Sequence, residues 1–104
     1  MSLLYVTVPN SEAGEKIANE LLQEKWIACA NLMPAHKSFF RWEGEIQGSE
    51  EHVLILKTRR LDRPALTERI KDLHPYECPC ILTIDPIHTN PEFVDWIYKN
   101  TEEI

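Results

Sequence analysis

Glycine, basic residues and long apolar runs are scarce in this sequence, and each shortage excludes a class of protein. The three glycines form no phosphate-binding loop, and no nucleophile elbow or metalloprotease helix accompanies the serines and histidines. Eleven basic residues stand against 17 acidic ones, a formal net charge of −6, which disfavours nucleic acid and anionic membranes as partners. No apolar run approaches the roughly 20 residues of a membrane span. We therefore expect neither an enzyme of these classes nor a nucleic-acid-binding or membrane protein.

Cysteine is also rare, with three residues in a chain of 104. An odd number of cysteines in a chain long enough to build its own core favours reduced thiols over a disulfide framework. Residues 1–10 contain neither the basic region nor the apolar segment of a secretory signal. We therefore expect a single domain over residues 1–104 in the cytoplasm.

Hydrophobic periodicity predicts the element order β-α-β-β-α-β-α. Leu3–Val8 is a short apolar run typical of a buried strand, and apolar residues at helical spacing predict a helix from a cap at Asn10 or Ser11 through Lys25. A long strand follows in two parts, Ile27–Met33 and Lys37–Trp42, bent at Pro34, and a further strand is predicted at His52–Thr58. The next helix is capped by Asp62 and ended by Pro75. A strand at Cys80–Ile84 and a helix opened by Asn90 and Pro91 complete the order.

This order predicts an α+β fold, a ferredoxin-like sandwich with helices on one face of an antiparallel sheet and an extra C-terminal helix. Turn-forming residues at Glu43–Glu45 and Gln47–Ser49 close a central hairpin from about Ile27 to Thr58. That hairpin is longer than two strands of the usual length, about 5–6 residues each, would make it. Its aromatic end, Phe39–Trp42, would project beyond the sandwich. Because exposed aromatic side chains on a projecting sheet mark an interaction surface, we expect a homo-oligomer formed through sheet edges.

The segment His74–Cys80 combines two thiols, an imidazole and two prolines. In an extended chain the thiols of Cys78 and Cys80 point to the same side, thiolates suit Cu(I) and Zn²⁺, and His74 is close enough in sequence to join them. Alternatively, the cysteines are small buried hydrophobic residues and His74 caps the preceding helix. The residues leave both interpretations open, a metal site or a rigid corner set by the prolines.

A basic stretch, Lys57–Arg60, ends a predicted strand. It could receive an anion such as a phosphate or a carboxylate, or it could be a solvated strand end that pairs with the abundant acidic residues. Tyr76 either lies in a cleft beside His74 or packs with its hydroxyl satisfied. The stretch therefore indicates a second kind of candidate site, one that would bind a small anionic ligand.

The chain contains four spaced segments in this order: ACANLMP (Ala28–Pro34), WEGEIQ (Trp42–Gln47), LILKT (Leu54–Thr58) and HPYECP (His74–Pro79). The Thr7–Pro9 end of the first strand and Trp96 fit the same pattern. Together these motifs resemble the divalent-cation tolerance protein CutA family, and the resemblance covers nearly the whole chain.

The resemblance implies a ferredoxin-like subunit that forms a tight homotrimer through its long hairpins and is similar in architecture to the nitrogen-regulatory PII proteins. It implies a role in tolerance to copper and other divalent metals, with metal binding in some members and no established catalysis. Two alternatives are a PII-like module that binds a small anionic ligand, suggested by Lys57, Arg59 and Tyr76, and an interaction scaffold whose trimer is its main property.

Four residues, Trp42, Lys57, His74 and Tyr76, match the family pattern. The resemblance implies that they line a cleft between subunits, with Trp42, Lys57 and Tyr76 as candidate binding residues. The candidate metal ligands are His74, Cys78 and Cys80.

Three other positions depart from the metal-binding members of that family. Val6 stands where those members can offer a thiol, Leu73 where they can offer a second imidazole, and Cys80 where an acidic residue is usual. The resemblance therefore implies a depleted set of harder ligands and a new thiol. Such a set suits a softer ion such as Cu(I) better than Mg²⁺ or Mn²⁺.

Overall fold

The computed structural model describes residues 1–60 and 63–102. Its elements are β1 (Ser2–Val8), α1 (Ser11–Gln23), β2 (Cys29–Leu32), β3 (His36–Trp42), β4 (Glu45–Thr58), α2 (Arg63–Leu73), β5 (Ile81–Ile84) and α3 (Pro91–Lys99). The predicted cap of α2, Asp62, lies outside the described residues. Within the described ranges, no helix combines the length and the apolar character needed to cross a membrane.

One antiparallel sheet organises the molecule. Its strands follow the order β2-β4-β1-β5, and β3 pairs with β4 beyond the end of β1. Burial alternates along β1, so that Leu4, Val6 and Val8 face the core while their neighbours face the other side. Helices α1 and α2 cover the core side with residues that include Ile17 and Ile70. The predicted α+β, ferredoxin-like fold with a C-terminal helix is thereby confirmed.

Helix α1 begins as the sequence predicts and ends earlier. The side chain of Asn10 accepts a hydrogen bond of 2.8 Å from the backbone N–H of Ala13, a cap that contributes about 1 kcal/mol. The prediction extended the helix through Lys25, but it ends at Gln23. Lys25 adopts a left-handed φ of 63°, which an α-helix cannot contain, and this residue redirects the chain towards β2.

The projecting hairpin is present, and its turn is the first of the two predicted. Glu43 and Gly44 have positive φ values of 51° and 80° and connect Trp42 directly to Glu45. Positive φ at both central residues is the requirement of the two-residue hairpin turn that matches strand twist. Every residue from 39 to 50 is exposed, so the hairpin end extends beyond the sandwich.

The second predicted turn, Gln47–Ser49, was wrong. These residues lie inside β4, which runs for 14 residues and begins well before the predicted start at His52. Gly48 stands opposite Phe39, and a Cβ atom at Gly48 would lie 3.3 Å from Cδ1 of that ring. The glycine therefore makes room for a cross-strand aromatic ring, a use that its sequence context does not distinguish from a turn.

Candidate functional site

A cleft of about 730 Å³ lies between the projecting hairpin and the corner segment, which we define as His74–Cys80. This volume lies within the range of about 300–1,000 Å³ typical of small-ligand sites. The lining comprises Thr7 and Pro9 at the end of β1, Ser38–Trp42, Gln47 and Ser49–Glu51 from the hairpin, and Tyr76–Cys78 with Cys80 from the corner segment.

The cleft brings together four of the sequence-predicted site residues, Trp42, Tyr76, Cys78 and Cys80. Lys57 is not among the residues that line it. Lys57 lies six positions after Glu51 on β4, a distance of about 20 Å along a strand, and its Nζ lies 5.6 Å from the centre of the Phe93 ring. A cleft that contains Trp42, Lys57 and Tyr76 would therefore need Lys57 from a second subunit.

His74 joins the corner segment to β1. Its side chain is buried, with 8% exposed, and its Nδ1 accepts a hydrogen bond of 3.1 Å from the backbone N–H of Tyr76. Nε2 therefore carries the ring proton and donates it to the carbonyl oxygen of Thr7 at 2.7 Å. Because both ring nitrogens are engaged, His74 in this conformation has no lone pair to offer a metal ion. The imidazole ring thus bonds a carbonyl of β1, and only the backbone N–H of His74 bonds a carbonyl in the last turn of α2, that of Lys71 at 3.2 Å.

Tyr76 holds the most buried carboxylate of the cleft. Its hydroxyl donates a hydrogen bond of 2.6 Å to Oε2 of Glu51, whose residue is only 8% exposed. Burial, together with the hydrogen bond to Glu51 and its charge, raises the pKa of the Tyr76 hydroxyl. The hydroxyl consequently stays protonated and acts as a donor.

Glu51 has no basic partner among residues 1–60 and 63–102. Buried carboxylates are normally paired with a cation or coordinate a metal, so this one is available to a positively charged ligand. Sequence reasoning did not select Glu51 as a site residue. The available signal was an acidic residue immediately before the predicted strand His52–Thr58.

The two thiols of the corner segment are exposed and line the same cleft. Burial, and secondly the charge of Glu51, raises the pKa of the Cys80 thiol, so the neutral thiol is favoured there. Cys29 lies on β2, outside the cleft.

Residues 1–60 and 63–102 do not form a complete metal site. In the part of the chain that the structure describes, no group of three or more histidine, cysteine, aspartate or glutamate side chains is arranged to hold a metal ion. His74, Cys78 and Cys80 therefore do not form a closed site by themselves.

The basic stretch at the end of β4 is largely bonded within the chain. Arg59 donates from Nε to the Thr101 hydroxyl at 2.9 Å, and from Nη2 to the carbonyl oxygens of Tyr98 and Thr101 at 2.8 and 2.7 Å. Its guanidinium also lies 4.8 Å from the centre of the Tyr98 ring. Arg60 pairs with Asp85 at 3.6 Å. Arg59 thus anchors the end of α3, which leaves few donors for an incoming anion.

Known proteins resemble this chain in sequence and in fold over nearly its whole length. Residues 2–100 match the family described as CutA1 divalent ion tolerance protein. The divalent-cation tolerance protein CutA of Pyrococcus horikoshii is 43% identical over 103 residues, covering 99% of this chain and 100% of that protein. The crystal structure of CutA1 from Pyrococcus horikoshii superposes with a TM-score of 0.93, at 43% identity, over 99% of this chain and 100% of that one.

Two further relatives carry names that refer to a compartment. Protein CutA, chloroplastic, of Arabidopsis thaliana is 38% identical over 99 residues, 95% of this chain, and the chain spans 54% of that plant protein. The structure of the periplasmic divalent cation tolerance protein CutA from Archaeoglobus fulgidus has a TM-score of 0.92 at 39% identity, over 98% of this chain and 100% of that one.

The sheet order and the projecting hairpin define a ferredoxin-like α+β protein with a cleft at the base of the hairpin. Within that class, the chain belongs to the CutA1 divalent ion tolerance protein family. The resemblance drawn from the four sequence segments is confirmed. The cytoplasmic location stays a prediction, because relatives are named for the chloroplast and the periplasm.

Proposed function

We propose that this chain serves in divalent-cation tolerance as a homotrimer that catalyses no reaction and binds copper or another thiophilic metal ion between its subunits. One observation carries the proposal. The thiols of Cys78 and Cys80 line a cleft together with Glu51, a buried carboxylate without a basic partner in the described ranges. Thiolates select soft ions such as Cu(I) and Zn²⁺, and the carboxylate adds negative charge beside them.

An apolar face of the sheet supports the homotrimer. On the side opposite α1 and α2, register places Leu3 beside Ile84 and Tyr5 beside Leu82. Leu82 and Ile84 are 51% and 48% exposed. Contiguous apolar surface of this kind is characteristic of protein–protein interfaces. Its burial between copies of the chain agrees with the trimer that the family resemblance implies.

The arrangement of the donors in the cleft also supports a second subunit. Two thiols and three carboxylates of the described residues line the cleft, and no three of them are arranged to hold an ion, so in this proposal a neighbouring chain completes the donor set. In this proposal His74 positions the corner segment and does not bind the ion, because both of its ring nitrogens are hydrogen-bonded.

The metal proposal is tested by anaerobic titration of the reduced protein with Cu(I) against a competing chelator. We expect the Cys78→Ser/Cys80→Ser variant to bind at least about tenfold more weakly, since even outer-shell changes at metal sites cost that much. The matched control is Cys29→Ser, which removes the thiol that lies outside the cleft and should bind as the unmodified protein does. Equal affinity of the double variant and the unmodified protein would refute the site.

The oligomer is tested separately by light scattering coupled to size exclusion. We expect a mass three times that of one chain, and a monomer at micromolar concentration would overturn the trimer. Replacing Leu82 and Ile84 by threonine should shift the population towards smaller species, because the substitutions remove apolar area from the proposed interface.

The alternative of an anionic ligand in this cleft is less well supported. Three carboxylates, Glu50, Glu51 and Glu77, line the cleft, against the single guanidinium of Arg41. The excess of negative charge favours a cation.

A further inference from the structure

We propose that Glu51 forms an ion pair with Lys57 of a neighbouring copy of the chain in the oligomer. This inference rests on the homotrimer of the proposed function and names the contact that orients its subunits. The thiols of Cys78 and Cys80 stay free to bind a metal ion, because the pair engages only the carboxylate of the cleft.

Glu51 and Lys57 lie at the two ends of one row of side chains on β4. Alternation along the strand points four side chains to one side, those of Glu51, Val53, Ile55 and Lys57. Register pairs Ile55 with Tyr5, which lies on the side of β1 that faces away from the core, so the row lies on the open face of the sheet, opposite α1 and α2. The row therefore has an acid at one end, a base at the other and two apolar side chains between them.

Both charges lack a partner of opposite sign among the described residues. Glu51 is buried and accepts a hydrogen bond from the neutral hydroxyl of Tyr76. Lys57 is half-buried, its Nζ lies 5.6 Å from the centre of the Phe93 ring, and no carboxylate in the described ranges pairs with it. Six positions of strand, about 20 Å, separate Glu51 from Lys57 within one chain. A bond between them therefore requires two chains.

Covering the open face with a second copy makes such a bond necessary. The apolar side chains of the row, with Leu82 and Ile84 beside them, favour burial between copies. The same contact removes water from the charges at the ends of the row, and a buried charge without its partner is strongly unfavourable. Lys57 is the only basic residue among the described residues of β1, β2, β4 and β5 that face this side. It is therefore the cation that this face can offer to Glu51 of the next copy.

The opposite charges at the two ends suit a head-to-tail arrangement of the subunits. An interface that joins one end of a surface to the other end of the same surface on the next copy is heterologous, and it generates a closed ring when the rotation between copies fits. Three copies in such a ring join three lysines to three glutamates and leave neither end of any row unpaired. The pair thus agrees with the trimer and gives it a direction.

Subunit exchange between ¹⁴N-labelled and ¹⁵N-labelled protein, followed by native mass spectrometry, tests the pair. The spectrum gives both the number of chains in the oligomer and the rate at which mixed oligomers appear. Glu51→Gln keeps an acceptor for Tyr76 and removes the charge, and Lys57→Gln removes the base. Each should accelerate exchange at least about tenfold, because truncating one partner of a buried charge pair acts mainly on dissociation.

The double variant Glu51→Gln/Lys57→Gln separates a bonded pair from two independent effects. It should exchange no faster than the faster of the single variants, since the second substitution removes a partner that is already lost. Residues about 20 Å apart in one chain act additively, so this coupling indicates contact between chains. The controls are Glu45→Gln, an acid on the same side of β4 at the hairpin tip, and Lys37→Gln on β3; both should exchange as the unmodified protein does. Circular dichroism checks that every variant folds.

The mass of the oligomer keeps this inference apart from the proposed function. A trimer in which the two single accelerations multiply in the double variant would overturn the ion pair and leave the trimer. A dimer with full coupling would retain the pair and overturn the trimer, and a monomer would overturn both. Coupling of Lys57→Gln to Glu45→Gln as strong as its coupling to Glu51→Gln would also contradict the pair, because it would place the lysine at the hairpin tip.

Discussion

The hydroxyl of Tyr76 and the carboxylate of Glu51 are joined by a hydrogen bond of 2.6 Å, although 25 positions separate the two residues in the sequence. The bond ties the corner segment to the base of the hairpin. Together with the ring of His74, which bonds both Tyr76 and Thr7, it fixes the wall of the cleft on which the metal proposal depends.

Replacing Tyr76 by phenylalanine should destabilise the protein by about 1–3 kcal/mol, because Glu51 would stay buried without its donor. Urea unfolding at equal protein concentration measures this loss. Tyr98→Phe is the matched control, since its hydroxyl is at the surface and only accepts a bond of 3.4 Å from the backbone of Arg60. A Tyr76→Phe protein as stable as the control would show that the bond contributes nothing.

Replacing Glu51 by glutamine should lower the pKa of the Cys80 thiol. Burial and the charge of Glu51 raise this pKa; the substitution removes the second cause, so more thiolate forms at a given pH. We expect the rate of iodoacetamide alkylation to reach its plateau at lower pH than before. Mass spectrometry in a Cys29→Ser/Cys78→Ser background, where Cys80 is the only thiol, measures the rate. Glu77→Gln serves as the control, and an equal shift in that variant would contradict the role of Glu51.

Gly14→Ala should destabilise the protein although alanine is the better helix former. A Cβ atom at Gly14 would lie 2.6 Å from Cδ1 of Leu32 and 3.3 Å from Cγ2 of Val8. Overpacking of this kind costs about 1–3 kcal/mol, against a gain of up to about 1 kcal/mol in helix propensity. A double-mutant cycle of denaturant unfolding with Leu32→Ala should show coupling, with the glycine substitution harmless in the smaller background. A stabilised single variant would contradict the close approach of α1 and β2.

The pair of Arg69 and Glu24 should make stability depend on pH in the acidic range. Arg69 donates from Nε and Nη2 to the two carboxylate oxygens at 2.8 and 2.6 Å, which lowers the pKa of Glu24 from its ordinary 4.5. A lowered folded-state pKa stabilises the protein above 4.5, and this contribution is lost as the pH falls through the folded value. The difference in urea midpoint between the unmodified protein and Arg69→Gln should therefore shrink on acidification.

The exposed pair of Lys71 and Glu68 supplies the control for that experiment. Lys71→Gln should change the midpoint little at any pH, because exposed pairs contribute little to stability. A constant difference between the unmodified protein and Arg69→Gln across the acidic range would show that the arginine acts through packing and not through the charge of Glu24.

Local chemistry made most of the fold predictable. Asn10 carries its capping signal in its own side chain, Pro91 opens α3 at the predicted position, and Pro75 follows the end of α2. Each signal acts within one turn of a helix, so a short window of sequence contains it. Gly48 shows the limit, because its role depends on Phe39, which precedes it by nine positions on the partner strand.

The candidate site was predictable only in part. Cys78, Cys80 and Tyr76 lie close together in the sequence, and the structure places them on one cleft. Glu51 and the bonds of His74 depend on contacts across 25 and 67 positions, which no periodicity encodes. Lys57 was grouped with Trp42 and Tyr76 through the resemblance alone, and the course of β4 separates it from them within one chain.

The bond between His74 and Thr7 also determines when the cleft can exist. Its two ends are 67 positions apart, so a growing chain has β1 and the complete hairpin long before it has the residues that close the cleft. Contacts of such separation form late, since closing a longer loop costs more entropy. We therefore expect ligand binding to appear only after residues 74–80 have emerged and docked. Stalled nascent chains of increasing length, probed with the cleft ligands, would time that step.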